Sequence, residues 1–433
     1  MSDQANNPFN LPQEVLSIMI RKLPIKSIIT CACVCKTWNS MINSPSFVSE
    51  HLNDSISSYK QGNTRICLLQ LRTLTKGEDV FSLRFDNQEF NQYAQLHFPY
   101  KSKYGFQTFG SCNGLVCILN GNLKRPVHFI LWNPVIRKSV ILPERSFFGL
   151  ESVGLGYDSR TNDYKILAVS NVLYDEGVLQ VEVYSLRHDS WRRLADAQAF
   201  YRLTTQRAMT FLNGNLHFAA FRSGRDLILG FDMGEEVFRE IMLPDRMSLR
   251  NFGVWACQDL LSVMLLGAND DLHIWVMKEY GIVQSWTQLS TVNLGDFKSP
   301  RRLGFRNNGH VFLGVVNLHF QEEDIAGRMV SQDLKSQEFQ DLKIDGRHDC
   351  FFIDSYVESL ILLNKGNDLC EHYEIESYDA DDTSGYFSST AACASCAMGA
   401  LSNAVADVAH YSSVPQSSDF SGSEKDNNYA LSE

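Results

Sequence analysis

The residues best suited to chemistry in this chain of 433 residues are its 11 cysteines, three of which, Cys31, Cys33 and Cys35, stand two apart. On a helix Cys31 and Cys35 share a face while Cys33 points elsewhere. Structural zinc sites combine two close cysteine pairs, or a cysteine pair with a histidine pair. No second pair stands nearby, so these three read as free thiols packed in a core. Cys393-Ala394-Ser395-Cys396 is a lone CxxC in Ser- and Ala-rich surroundings and reads as neither a metal nor a redox pair. The histidines are scattered, without a His-Glu-x-x-His pattern. No Gly-Lys dipeptide occurs, so no P-loop is present. Gly154-Leu155-Gly156 lacks the third glycine of a dinucleotide fingerprint, and there is no Gly-x-Ser-x-Gly elbow. Asp270-Asp271 and Glu322-Glu323 are adjacent in sequence and read as solvated turns. The expectation is therefore no catalytic set, no cofactor and no metal, which leaves binding as the chemistry.

Composition narrows what is bound. A formal net charge of -11 matches poorly with a phosphate backbone or an anionic membrane surface, so neither nucleic acid nor membrane is expected as a partner. Hydrophobic residues make up 44% and charged residues 21%, the balance of a soluble globular protein. The first seven residues show no basic stretch and no apolar run, so no secretory signal is expected. The cysteines are then reduced thiols, the location cytoplasmic, nuclear or both, and the sequon Asn53-Asp54-Ser55 unused. The longest uncharged run, 383–406, is too polar to span a membrane.

Two kinds of element must present the binding surfaces. The first 50 residues are helical in period. Val15, Leu16, Met19, Ile20 and Leu23 form one stripe, with Asn10 and Pro12 at its start and Pro24 ending it. A second helical run carries Ile28, Ile29, Ala32, Cys35, Trp38, Met41 and Ile42 and is broken by Pro45. From about Arg65 short β-branched and aromatic strands take over, among them 66–71, 114–119, 181–186, 227–231, 273–277, 311–315 and 360–363. They repeat a unit of strand, polar turn and second strand, with turns centred near 136, 188, 234, 281 and 336. The spacing is on the order of 45–55 residues, the period of four-stranded propeller blades. An aromatic residue follows the later turns (Trp191, Phe238, Trp286, Phe339), as a side chain packing between blades would. A sandwich of hairpins is the competing architecture. The segment 377–433 is rich in Ser, Ala and Asp, and Lys425 is its only basic residue, which is the composition of a disordered acidic tail.

The helical stretch resembles an F-box. The residues that carry the resemblance are Leu11-Pro12, Leu23-Pro24-Ile25-Lys26-Ser27, Val34-Cys35-Lys36-Thr37-Trp38 and Met41-Ile42. The downstream chain resembles the plant F-box-associated domain, which is related to kelch-type propellers. The residues that carry this are Ser111-Cys112-Asn113-Gly114-Leu115-Val116-Cys117, Leu131-Trp132-Asn133-Pro134, Arg137-Lys138, Leu142-Pro143, and Gly154-Leu155-Gly156-Tyr157-Asp158 with Asn162-Asp163-Tyr164-Lys165. The fold class expected is multidomain. A small all-α F-box of about three helices spans 8–50, and a linker with the first strands spans 51–99. An all-β propeller-like domain spans 100–376, its strands beginning near 65, and the disordered tail spans 377–433.

The resemblance implies a non-catalytic substrate-recognition subunit of an SCF-type ubiquitin ligase, docked on a Skp/ASK-family adaptor and through it on a cullin scaffold. A module this small also has more apolar positions than its own core can hide, Ile18, Met19, Ile25 and Ile29 among them. The adaptor contacts are expected on Leu11, Pro12, Val15, Leu16, Ile20, Leu23, Pro24, Ile28, Val34, Cys35 and Trp38, several of which have the competing task of holding the module together. Substrate capture is expected on one rim of the propeller, through loops near 147–151, 171–177, 200–207, 222–226 and 246–252. There Arg202, Arg207, Arg222, Arg225, Arg246 and Arg250 suit an acidic or phosphorylated target if they converge, and are ordinary surface arginines if they do not. The alternatives are an interaction module outside any ligase, a propeller enzyme such as a glycosidase, and, within the ligase class, a self-incompatibility receptor for a secreted ribonuclease.

Overall fold

Pro12 and Pro24 each stand just before a helix, at φ -55 and -56, where a missing N–H leaves nothing unpaired. The computed structural model describes residues 12–62, 65–102, 104–120, 128–146, 152–171, 179–194, 201–203, 208–244, 252–267, 271–294, 297–316, 326–365, 367–368 and 373–374. Helix α1 (Gln13–Arg21) buries Leu16 and Ile20, four apart on one face, and α2 (Ile25–Ala32) buries Ile25, Ile28 and Ala32.

The single helical run expected through Ile42 is two helices. The chain turns at Cys33 and Val34, and Cys35 opens α3 (Lys36–Ile42), its sulfur accepting the Trp38 N–H at 3.5 Å. Apolar spacing continues across the corner because α2 and α3 bury residues in one core, so the period does not reveal the break. Pro45 ends that run and is itself the first residue of α4 (Pro45–Lys60), which is capped by the Ser44 hydroxyl accepting from Phe47 N–H. The helical module therefore has four helices rather than about three, and residues 51–60 belong to α4 where the sequence suggested a linker. Arg21 of α1 pairs with Glu50 and Asp54 of α4. Cys33 is exposed and Cys31 and Cys35 are half-buried, so this trio is not the buried set expected from the sequence.

The rest of the described chain is built chiefly of six antiparallel sheets in chain order, the blades of a propeller, and also holds a short parallel pair of Tyr100–Lys101 with Tyr373–Glu374. Blade 2 is Phe106–Cys112, Leu115–Asn120, His128–Asn133 and Lys138–Ile141. Blade 3 runs Ser152–Asp158, Asp163–Asn171, Leu179–Ser185 and Ser190–Arg193. Blade 4 opens with a broken strand, Arg202–Leu203 then Thr210–Leu212, and continues through Asn215–Arg222, Arg225–Asp232 and Phe238–Met242. Blade 5 begins at Phe252–Cys257 and ends at Trp286–Asn293, and blade 6 runs from Lys298–Phe305 to Phe339–Arg347. The turns that made the repeat visible all join the third strand to the fourth. Trp191 and Trp286, at the start of fourth strands, donate their indole N–H to Pro143 and Met242 of the preceding blade, at 2.8 and 3.1 Å.

Blade 1 is made from both ends of the domain. Ile66–Arg72, Asp79–Phe85 and Gln92–Leu96 supply three strands, and Phe352–Tyr356 pairs along Ile66–Gln70 as the innermost fourth. This closes the ring. The seam to blade 6 is pinned by Arg306, only 1% exposed, which donates to Asp86 at 3.0 Å and to the Asn87 carbonyl. Phe90 plugs the same seam in a left-handed conformation (φ 52), its ring 5.2 Å from that of Phe312. Residues 360–363, expected as a strand, instead form turns after the closing strand, and Leu360 and Leu362 are buried there. The expected disordered tail, 377–433, lies outside the described residues, as do Cys393 and Cys396.

Candidate functional site

In a four-stranded antiparallel blade the first-to-second and third-to-fourth turns lie on one face of the ring. The second-to-third turns and the crossovers between blades lie on the other. The helical module sits on the first of these faces. Asn364 donates to the Asn43 carbonyl at the end of α3, and Asn307, in a first-to-second turn of blade 6, donates to Tyr59 of α4 at 3.2 Å. Leu16, Ile20, Ile28, Ile42 and Phe47 join one apolar cluster with Leu360 and Leu362 and with blades 2 and 3.

What the module leaves uncovered is its other side. On α1, Val15, Ile18 and Met19 stand three and four apart at 41, 47 and 55% exposure, and Leu23 continues the stripe beyond the helix end. Val34, at the corner between α2 and α3, is 60% exposed beside a shallow cleft lined by Ala32, Cys33, Cys35, Lys36, Asn39 and Ser40. Of the residues singled out from the sequence for docking, Pro12, Val15, Leu23, Pro24 and Val34 are exposed and Cys35 and Trp38 half-buried. Leu16, Ile20 and Ile28 are buried, 7% exposed at most, in the apolar cluster that the helices share with the propeller. Leu11 lies outside the described residues. Ile18 and Met19, noted in sequence as surplus apolar positions but left out of the docking set, complete the exposed stripe, and their i, i+3, i+4 spacing with Val15 was the available signal.

Of the rim loops suggested by the sequence, the described stretches 201–203 and 222–226 fall on the opposite face, while 147–151 and nearly all of 171–177 and 246–252 lie outside the described residues. Arg222 and Arg225 face each other across the hairpin of blade 4, and Arg202 is at the head of its innermost strand, next to the Phe221 pairing. Arg202 and Arg225 are exposed. Arg222 is held by Glu240 at 2.6 Å, and the Tyr201 hydroxyl donates to the same carboxylate oxygen at 2.6 Å. These two hydrogen bonds hold the Glu240 carboxyl below its usual range, and burial pushes the Tyr201 hydroxyl up to about 12. The rim is thus locally balanced rather than a bare cationic patch. Arg207, Arg246 and Arg250 lie outside the described residues, as do Asp270, Glu322 and Glu323.

Buried charges elsewhere serve as pins between blades. Lys165 bridges Asp158 of its own blade and Glu236 of blade 4, each at 2.9 Å, and Arg145 joins Glu182 at 2.9 Å. Burial pushes the Cys112, Cys117 and Cys67 thiols well up, which keeps them protonated and unreactive.

Comparison with known proteins agrees with this division. The family model described as "F-box associated beta propeller domain" matches residues 63–363, and "F-box domain" matches 8–57. The chain is 27% identical over 394 residues to F-box protein CPR1 of Arabidopsis thaliana, covering 82% of this chain and 90% of that one. It is also 27% identical over 310 residues to F-box/kelch-repeat protein At3g23880 of the same plant, covering 68% of this chain and 83% of that one. Among solved structures, TolB from Acinetobacter baumannii covers 68% of this chain and 69% of its own at 11% identity, with a TM-score of 0.39, too low to carry any argument.

Proposed function

The chain belongs to the F-box proteins that carry an F-box-associated β-propeller, an architecture with an SCF substrate-adaptor role, and from that premise we propose that it selects a protein target for ubiquitylation. F-box proteins are generally non-catalytic, and the F-box implies binding to a Skp-type adaptor. The finer reading assigns that contact to Pro12, Val15, Ile18, Met19, Leu23, Pro24 and Val34, with Cys35 and Trp38 at its edge. The single observation that supports it is an apolar stripe left bare on a module whose other apolar side is already buried. Desolvating such a stripe against a partner helix is the main source of affinity in a helix-packing interface. The opposite rim, around the hairpin of blade 4, is the face left for the target. Among the described residues no helix is long and apolar enough to cross a membrane. We assign the action to the cytoplasm or nucleus.

The test is binding of the full chain to a recombinant plant Skp-family adaptor. Val15→Asp combined with Met19→Asp is expected to weaken binding about 100-fold, near 2.7 kcal/mol. Both residues are exposed, so the melting temperature should hold. Unchanged affinity in that variant would overturn the assignment.

A further inference from the structure

Two sequence motifs of blade 2 have one structural partner, and it lies at the far end of the chain. Gly114 adopts φ 84, and a side chain there would meet the Ser359 hydroxyl at 2.4 Å and the Val357 carbonyl at 2.8 Å. Its own carbonyl accepts from the Tyr356 hydroxyl at 3.2 Å. Ser111 donates through both N–H and hydroxyl to Asp354 of the closing strand, at 3.1 and 3.0 Å. Asn133, fully buried, donates to the Ser359 carbonyl at 3.0 Å and the Ile361 carbonyl at 2.8 Å. Both motifs therefore grip the strand that closes the ring and the segment that follows it.

That segment continues into the helical module. Leu360, 0% exposed, and Leu362, 5% exposed, enter the cluster that holds Leu16, Ile20, Ile28, Ile42 and Phe47. Leu362 sits at φ 75, a left-handed conformation that a leucine keeps only where its surroundings dictate it. Asn364 donates to the Asn43 carbonyl, and Lys365 donates to the Leu186 carbonyl of blade 3 at 2.9 Å. The segment thus touches blade 2, blade 3 and the helices at once.

We propose that residues 357–365 are a positioning element, a seat that fixes the helical module on the propeller in one orientation and that forms only when the ring is closed. The physical case is one of order. The helices and blade 2 both precede the segment in the chain, yet each presents a surface shaped to it. Without Leu360 and Leu362 the inward face of the helices loses apolar partners, and the Asn307–Tyr59 contact and the remaining cluster with blades 2 and 3 hold the angle less firmly. The consequence for ubiquitin transfer rests on the ligase reading above: a fixed angle between the adaptor-facing stripe and the opposite rim fixes where a captured target is held.

The test uses the full chain and lysine crosslinking read by mass spectrometry, with no adaptor present, so it stands apart from the ligase reading. Adaptor affinity is measured separately on the same samples. In the wild-type chain Lys22, Lys26, Lys36 and Lys60 should crosslink to a fixed set of propeller lysines. Leu360→Asp with Leu362→Asp should lower those crosslinks at least five-fold and create new partners, while amide protection in blades 4 and 5 and adaptor affinity stay unchanged. Asn364→Ala with Lys365→Ala removes only two surface hydrogen bonds and should lower them at least two-fold, so it decides the matter if the first variant does not fold. An unchanged partner set, with yields within two-fold of wild type in every variant that folds, would overturn the seat.

Discussion

Gly114 shows how much a single position can depend on residues far along the chain. At φ 84 it is already where β-carbons are disfavoured, and Ser359 and Val357 fill the space that a methyl would need. Gly114→Ala is expected to cost about 2–3 kcal/mol, from left-handed strain together with the forced shift. Asn133→Ala takes the donor from the buried Ser359 carbonyl and the half-buried Ile361 carbonyl and is expected to cost about 2–4 kcal/mol. Both appear as lowered melting temperatures. Both residues were visible in the sequence as parts of motifs. The reason for them was not, because their partners lie beyond residue 350 and nothing local records that.

Asp354 adds a pH signature. Burial pushes its carboxyl up to about 6, against the pull of hydrogen bonds from Ser111 and Ser355, while burial pushes buried His217 down to about 4. Between pH 4 and 6 the folded chain holds a proton on Asp354 that the unfolded chain has lost, so acidification stabilises through this residue. For His217 the unfolded chain takes up the proton first, so acidification destabilises. Asp354→Asn removes the first effect only. Its melting temperature should fall more steeply than wild type between pH 6 and 4, and parallel curves would count against the assignment.

At the scale of the element, α1 has two apolar faces with opposite fates. Leu16 and Ile20 are buried, whereas Val15, Ile18 and Met19 are bare. Leu16→Ala or Ile20→Ala is expected to cost about 2–4 kcal/mol of stability and to leave the affinity of the folded chain for the adaptor within about three-fold. Paired measurements of melting and binding check this. The helix, its proline start and its apolar excess were legible from spacing alone. Which face turns inward was not, because adjacent stripes one residue apart share a period and only burial in the cluster shared with the other helices and the propeller separates them. The corner at Cys33 and Val34 escaped for a related reason: both helices serve one core, so the apolar rhythm runs unbroken through the turn. The third-to-fourth-strand hairpins were legible because each places a polar turn after a buried apolar strand and, in the later copies, an aromatic residue just beyond it. The blade 1 copy was not, since its turn carries Phe90 inward and its innermost strand lies at 352–356.

At the scale of the whole molecule, the ring holds only if its last strand returns to its first. Phe352–Tyr356 pairs with five residues of the strand Ile66–Arg72, and Tyr356 packs in one cluster with Ile66, Leu68 and Trp132. A chain ended at Phe351 is expected to lose its cooperative thermal transition, and calorimetry showing one transition near the wild-type temperature would refute this. The two-module plan was legible from the change of period near residue 65. The placement of the helices on one face, and of the blade 4 hairpin 222–226 on the other, emerged only from strand order. The same pairing of first strand with last sets a delay during synthesis. At about 5–20 residues per second, the strand opening at Ile66 leaves the ribosome roughly tens of seconds before Phe352 follows it. Throughout that interval Leu68 and Leu69 lie along an open sheet edge, so the yield of this protein in a cell should depend on chaperones that shield nascent β-edges more than on the stability it finally attains.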